Sequence, residues 1–233
     1  MVTFGIQKTN ILDKENQAIF TRIYDDEMWV DDKGTALSGN GSNLKATEKG
    51  REILEEVILK YNIKSLCDLS CGDMTWMPSL LKKLEDKGHE IKYIGCDIVE
   101  KLILQHRETF KDKKNMEFIV LDMINSKIPK VDLLFSRDTI QHITIEDGIK
   151  SLKNISKSGS KYLLTTTYPY QSRSINHVDL EKPGYCISRN LMDYPYHLAD
   201  PLVLYSEGNK EYHKYLALFE LPLDMLRKFN QRN

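Results

Sequence analysis

The sequence predicts a doubly wound α/β fold, and three observations predict it. Short apolar runs alternate with longer amphipathic segments through the middle of the chain, a rhythm that implies parallel strands joined by right-handed helical crossovers. Near the C-terminus the rhythm breaks. Two strand-like runs, 202–205 and 215–219, follow each other with only a loop containing Gly208 between them, so they should pair as an antiparallel hairpin at the sheet edge. With 233 residues, 41% of them hydrophobic and 29% charged, the chain suits one sizeable core and is too apolar for disorder. The expectation is a single domain over residues 1–233 around a mostly parallel, seven-stranded sheet.

Each element has its own signal. The first ~45 residues are polar and irregular, and Ser38-Gly39-Asn40-Gly41-Ser42 reads as a turn or loop. Tyr24, Met28 and Trp29 would be poorly placed on an exposed tail, so residues 1–45 are expected to form a cap over a ligand. Thr47 reads as an N-cap for a helix over about 48–61, whose apolar face is Ile53, Leu54, Val57, Ile58 and Tyr61. Strands are expected at 65–69, 93–96, 118–121, 131–135 and 162–166, and helices at 78–87, 99–110 and 146–155. The last helix should start at Thr144, with an acid three residues on.

Composition excludes several classes. Lys plus Arg total 33 against 34 Asp plus Glu, a net charge of -1 that offers no global field for a nucleic-acid backbone. No apolar run approaches the ~20 residues of a membrane span, and the N-terminus lacks a signal peptide's apolar centre, so the chain reads as cytoplasmic. Four cysteines are too few for a disulfide scaffold, and the Cys67/Cys71 spacing without a second pair is poor for zinc, so no metal is expected.

In an open parallel sheet, ligands bind beyond the carboxyl ends of the strands. The first such end reads Asp68-Leu69-Ser70-Cys71-Gly72-Asp73, a small-residue turn that lets backbone N–H groups approach a ligand. The second reads Gly95-Cys96-Asp97, about 25 residues later, near the spacing at which an acid receives ribose hydroxyls. The third ends in Asp122-Met123, and the fourth in Ser136-Arg137-Asp138 with His142 one helical turn on.

In order and spacing these four ends resemble the motifs of class I S-adenosylmethionine-dependent methyltransferases, over roughly residues 45 to 222. The terminal hairpin resembles that family's antiparallel seventh strand, and the resemblance implies its Rossmann-like fold. Ser70 and Met74 stand where the common pattern has glycine. The segment from Asp68 to Trp76 is more similar to a bacterial branch with a D-x-x-C-G-D-x-x-W signature, as are Ser38-Gly39-x-Gly41-Ser42 and Arg137-Asp138-x-x-x-His142. That branch includes methyltransferases of cell-surface polysaccharide loci, among them those of O-methyl phosphoramidate capsule groups.

The resemblance implies S-adenosylmethionine as cofactor, held by Asp68, Ser70, Cys71, Gly72, Asp73, Trp76, Asp97, Ile98, Asp122, Met123, Ser136 and Arg137. It implies a small-molecule or sugar-linked acceptor, with no nucleic acid. Tyr24, Trp29, Ser42 and Arg173 are expected at the acceptor, and His142 and Asp138 in catalysis. A hydroxyl or amine acceptor must lose a proton, which suits a histidine. A phosphoramidate oxygen is already anionic and would need guanidinium groups, with Arg137, Arg173 and Arg189 as candidates. Two readings from other classes stay open: a nicotinamide-dependent oxidoreductase, and a non-catalytic cofactor-binding module. An RNA methyltransferase is disfavoured by the charge balance.

Overall fold

In a computed structural model of the chain, which describes residues 12–208 and 213–225, seven strands form one sheet in the order β3-β2-β1-β4-β5-β7-β6. The strands are β1 (Ser65–Leu69), β2 (Lys92–Asp97), β3 (Met116–Val120), β4 (Leu133–Ser136), β5 (Tyr162–Thr167), β6 (Val203–Ser206) and β7 (Tyr215–Glu220). The first five pair in parallel, and β7 inserts antiparallel between β5 and β6. The hairpin therefore stands where the sequence puts it.

Among the described residues six α-helices accompany the sheet: α1 (Lys14–Asp25), α2 (Glu48–Lys60), α3 (Met77–Asp86), α4 (Glu100–Thr109), α5 (Ile145–Ser156) and the single turn α6 (Arg173–Asn176). Alternation along the strands builds two cores. Leu66, Tyr93, Phe118, Leu133, Phe135 and Leu164 face one side with Ile53, Leu54, Val57 and Ile58 of α2 and Leu80 and Leu84 of α3. Cys67, Leu69, Ile94, Cys96, Leu134 and Leu163 face the other, under Leu152 and Ile155 of α5 and the segment carrying Leu191, Tyr196 and Leu198. Burial on both faces is what makes the parallel strands read as continuous apolar runs.

Two expectations are corrected. The first ~45 residues are not irregular throughout, because α1 lies within them. Its start is a side-chain cap, Asp13 accepting from the N–H groups of Glu15 and Asn16. Thr47 does occupy the position before α2, but its hydroxyl donates back to the carbonyls of Asn43 and Leu44 and caps nothing. Thr144, by contrast, accepts from the N–H of Asp147 as expected. No helix among the described residues is long and apolar enough to cross a membrane.

Candidate active site

Strand order reverses between β1 and β4, and a cavity of about 460 Å³ opens there at the carboxyl ends of the strands. The turn after β1 forms its floor. Ser70 and Cys71 both donate to the carbonyl of Cys96, each at 2.8 Å. Gly72 donates to the Asp97 carboxylate (3.0 Å), and its carbonyl accepts from His106 (2.7 Å). Ser70, Gly72 and Met74 all have left-handed backbones, with φ of 71°, 57° and 58°. The two positions where glycine is replaced thus keep the glycine-type conformation, at a cost of roughly 1–2 kcal/mol each for a residue with a Cβ.

The acids at the strand ends are buried. Asp68 takes a hydrogen bond from the Tyr93 hydroxyl (3.0 Å), and burial pushes its carboxyl up to about 7. Burial also raises Asp97, although it accepts from the N–H groups of Gly72 and Val99. Asp122 accepts from Ile124, from Asn125 and from the N–H of Asp13.

The N-terminal segment roofs the cavity and ties itself to each of the first four strand ends. Asp13 donates to Asp122 after β3, and Gln17 donates to the Ile98 carbonyl after β2 (3.0 Å). Leu37 and Ser38 donate to Asp73 after β1, while the Ser38 hydroxyl meets the Asp73 N–H and the Tyr24 hydroxyl. The Gly41 carbonyl accepts from Arg137 after β4 (2.9 Å). The roof lies so close that a Cβ on Gly72 would stand 2.5 Å from the Ser38 hydroxyl. Residues 1–11 of the expected cap lie outside the described residues.

Beside the cavity, four charges close on one another. Arg137 pairs with Glu207 (2.8 Å) and Asp138 (3.0 Å), and Lys214 reaches both acids at 2.8 Å. Burial alone would raise the Asp138 carboxyl, yet Arg137 and Lys214 hold it well below the usual carboxylate range. The network joins β4 to the terminal hairpin and leans on α2, where a Cβ on Gly50 would meet a Glu207 oxygen at 2.6 Å. Asp138 therefore stays ionised.

His142 lies on the cavity wall, with its ring 4.7 Å from that of Trp29. Its Nδ1 is 2.9 Å from the Tyr185 carbonyl. A carbonyl only accepts, so Nδ1 carries the hydrogen and the neutral ring presents Nε2 as its lone pair. Burial lowers the imidazole's pKa, which favours that neutral form. Trp29 also meets Phe20 and Tyr24 edge-on, at 6.0 and 6.2 Å.

The cavity brings together nearly all the residues expected from sequence. Asp68, Ser70, Cys71, Gly72, Asp73, Trp76, Asp97, Ile98, Asp122, Met123, Arg137, Asp138 and His142 line it, with Tyr24, Trp29 and Ser42 from the cap. Two residues stand elsewhere. Strand alternation turns Phe135 and Arg137 to the cavity and Ser136 away from it, its hydroxyl buried and without a partner among the described residues. Arg173 sits on α6, exposed and paired with Asp193. Arg189, the further oxyanion candidate, is buried under the carbonyls of Asn176 and Val178. Sequence reading missed Asn16 and Phe20 of α1, and Thr139 and Gln141 after β4. Asp13 followed by Glu15, with Ile19 and Ile23 four apart, is the helix-start signal that would have found α1. Glu207 and Lys214 carry no sequence signal of their pairing.

No protein-family model matches this sequence, and no curated protein matches it. Solved structures do share its fold. Magnesium protoporphyrin IX methyltransferase from Synechocystis PCC 6803, with bound S-adenosylmethionine, superposes with a TM-score of 0.60 at 12% identity, over 91% of this chain and 100% of that one. Human N-acetylserotonin methyltransferase gives 0.56 at 14% identity, over 87% of this chain and 58% of that one. An S-adenosylmethionine-dependent methyltransferase from Clostridium acetobutylicum gives 0.54 at 16%, over 75% and 91%. The fold is the Rossmann-like fold of class I methyltransferases.

Proposed function

We propose that the chain is an enzyme that transfers a methyl group from S-adenosylmethionine to a small-molecule or sugar-linked acceptor. The observation that carries the reading is the cavity at the switch point, into which three consecutive strand ends each deliver a buried acid: Asp68, Asp97 and Asp122. Carboxyl groups that no Lys or Arg among the described residues pairs with suit a ligand that brings positive charge and ribose hydroxyls. Asp97 would hold the ribose, Asp122 and Met123 would flank the adenine, and the Gly72 turn, with Cys71, Asp73 and Ile98, would follow the chain between them. Asp68 would meet the cationic end. When bound, S-adenosylmethionine supplies a methyl group already activated by its sulfonium, so the residues' task is chiefly to orient the acceptor.

His142 would remove the proton. Its Nδ1–H is fixed by the Tyr185 carbonyl, so the ring's lone pair lies on Nε2, the atom that would accept from an acceptor hydroxyl or amine. Asp138, held by Arg137 and Lys214, would keep the turn carrying His142 in place through its bonds to Gln141 and Thr166. Trp29, Tyr24 and Ser42 supply the cap side of the acceptor pocket. A role in cytoplasmic synthesis of capsule or other cell-surface polysaccharide, with a hydroxyl, amine or phosphoramidate oxygen methylated, rests on the D-x-x-C-G-D-x-x-W resemblance alone.

A thermal-shift panel tests the cofactor. S-adenosylmethionine and S-adenosylhomocysteine should raise the melting temperature, and NAD and NADP should not. Stabilisation by NAD alone would reverse the assignment. His142→Asn should lower kcat by about 10²-fold or more while leaving S-adenosylmethionine affinity nearly unchanged. In the native enzyme, kcat should rise with pH to a plateau, with its midpoint below the usual histidine value. An unchanged rate in a folded His142→Asn protein would leave the methyl-transfer reading standing without a base and separate it from a non-catalytic module.

A further inference from the structure

We infer that the methyl acceptor is an uncharged, planar aromatic molecule carrying a hydroxyl or amine group, and that Trp29 is the platform it stacks on. The inference rests on the methyl-transfer reading and deepens it.

The charge of the cavity is the first ground. Arg137 is the only Lys or Arg side chain on its wall among the described residues. Each of its three guanidinium nitrogens is already engaged: Nε and one terminal nitrogen by Glu207, the other by Gly41 and Asp138. Asp73, Asp97 and Asp122 are answered by backbone and amide N–H groups and not by cations. An anionic acceptor would therefore enter a partly desolvated cavity with negative charge on its walls and no free guanidinium to receive it. A bound S-adenosylmethionine brings one positive charge near the reacting atom, against several carboxylates.

The shape and chemistry of the roof are the second ground. Trp29 stands among Phe20, Tyr24 and His142 on the cavity wall, with ring centroids 4.7 to 6.2 Å apart and their rings inclined to its own. Beside Trp29 the cavity is lined by Met28 and Val30, which are 59% and 36% exposed. Two neighbouring apolar side chains facing water at a cavity mouth are surface that a bound apolar molecule would cover. A planar ring stacked on Trp29 would bring its substituent toward His142, whose lone pair is on Nε2 because the Tyr185 carbonyl takes the Nδ1 hydrogen. A neutral hydroxyl or amine is also the acceptor that makes use of such a base. Methyl transfer from the sulfonium then leaves neutral S-adenosylhomocysteine, a methylated oxygen or nitrogen, and a proton on Nε2.

A matched pair of probes that differ in charge tests this. The full chain is saturated with S-adenosylhomocysteine, and 2-naphthol and 2-naphthyl phosphate are titrated by calorimetry, with inorganic phosphate as a third arm. Naphthol should bind at least about tenfold tighter than its phosphate ester, and inorganic phosphate should not bind. Trp29→Ala should weaken naphthol about tenfold while leaving S-adenosylhomocysteine affinity within error. Equal or tighter binding of either phosphate overturns the inference in favour of an anionic acceptor. Naphthol that does not bind, or that binds Trp29→Ala as well as the native chain, overturns the stacking platform. Failure of S-adenosylhomocysteine to bind at all would instead bring down the methyl-transfer reading, and the calorimeter separates that result from the others.

Discussion

Asp68 and Asp138 end neighbouring strands of one sheet, face the same cavity and are both largely withdrawn from water. Their electrostatic fates are opposite. Asp68 has a tyrosine hydroxyl for a partner, and burial pushes its carboxyl up to about 7. Asp138 has a guanidinium and an ammonium, and they hold it far below the carboxylate range despite the burial. Burial sets the size of what is at stake, and the partner sets its sign. At the β4 end the charge is already matched by the protein, so it can only hold the wall in place. At the β1 end no Lys or Arg among the described residues pairs with the carboxyl, which suits the cofactor-binding role proposed for it.

The largest effect should come from breaking the matched end. Arg137→Met would leave Glu207 and Asp138 with Lys214 alone in a buried setting, at a cost of about 3–5 kcal/mol in chemical denaturation. Arg137→Met combined with Glu207→Leu removes one charge of each sign and should recover a good part of that loss. If the single variant unfolds within about 1 kcal/mol of the native chain, the network contributes no more than surface pairs do.

The unmatched end should show itself through pH. A carboxyl near 7 in the fold and near its ordinary value when unfolded means the native state holds the extra proton between those limits. The associated stability is fully present below about pH 4 and is lost as the pH rises through about 7, up to roughly 4 kcal/mol for a shift of that size. Asp68→Asn should flatten this slope. Binding of the cationic cofactor should favour the ionised form and release a fraction of a proton near neutral pH, visible as a dependence of calorimetric heat on buffer ionisation enthalpy. A proton release that survives Asp68→Asn would assign it to another group, with Asp97 the next candidate because burial raises it too.

The same contrast governs what could be read in advance. The β1 end was legible because its signal is local: strand, small-residue turn and acid fall within a few consecutive residues, and Asp97 follows at a fixed spacing. Strand positions were legible too, since burial on both faces leaves unbroken apolar runs. Roles that depend on distant partners were not. Nothing near Arg137 indicates that Glu207, on the terminal hairpin, will accept its hydrogen bonds, or that Lys214 will pair with the same acid. That pairing withdraws Arg137 from oxyanion binding, and pairing with Asp193 does the same for Arg173. Ser136 was misplaced for another reason: reading a strand end as a block of three residues ignores that neighbours point to opposite faces. The α1 helix was hidden by its composition, because it buries only Asn16 and Ile23 and so carries a weak apolar stripe.

The smallest effect compares the two turns at the level of the backbone. Ser70, two residues after Asp68, and Asp138 itself both hold left-handed conformations, with φ of 71° and 56°. Glycine relieves roughly 1–2 kcal/mol of such strain, against about 0.5–1 kcal/mol of added chain entropy in the unfolded state. The Ser70 side chain is exposed, and its hydroxyl has only a long contact with the Met123 sulfur at 3.9 Å. Little is lost on removing it. Ser70→Gly should therefore leave stability unchanged or raise it by up to about 1 kcal/mol, whereas Ser70→Ala, which keeps the Cβ, should gain nothing. Asp138→Gly relieves a similar strain but deletes the carboxylate between Arg137 and Lys214, so it should be strongly destabilising. The pair separates backbone cost from side-chain role at equivalent places in the sheet. Should Ser70→Gly destabilise as much as Asp138→Gly does, the serine hydroxyl would be holding the β1 turn, and its loss would outweigh the relief of backbone strain.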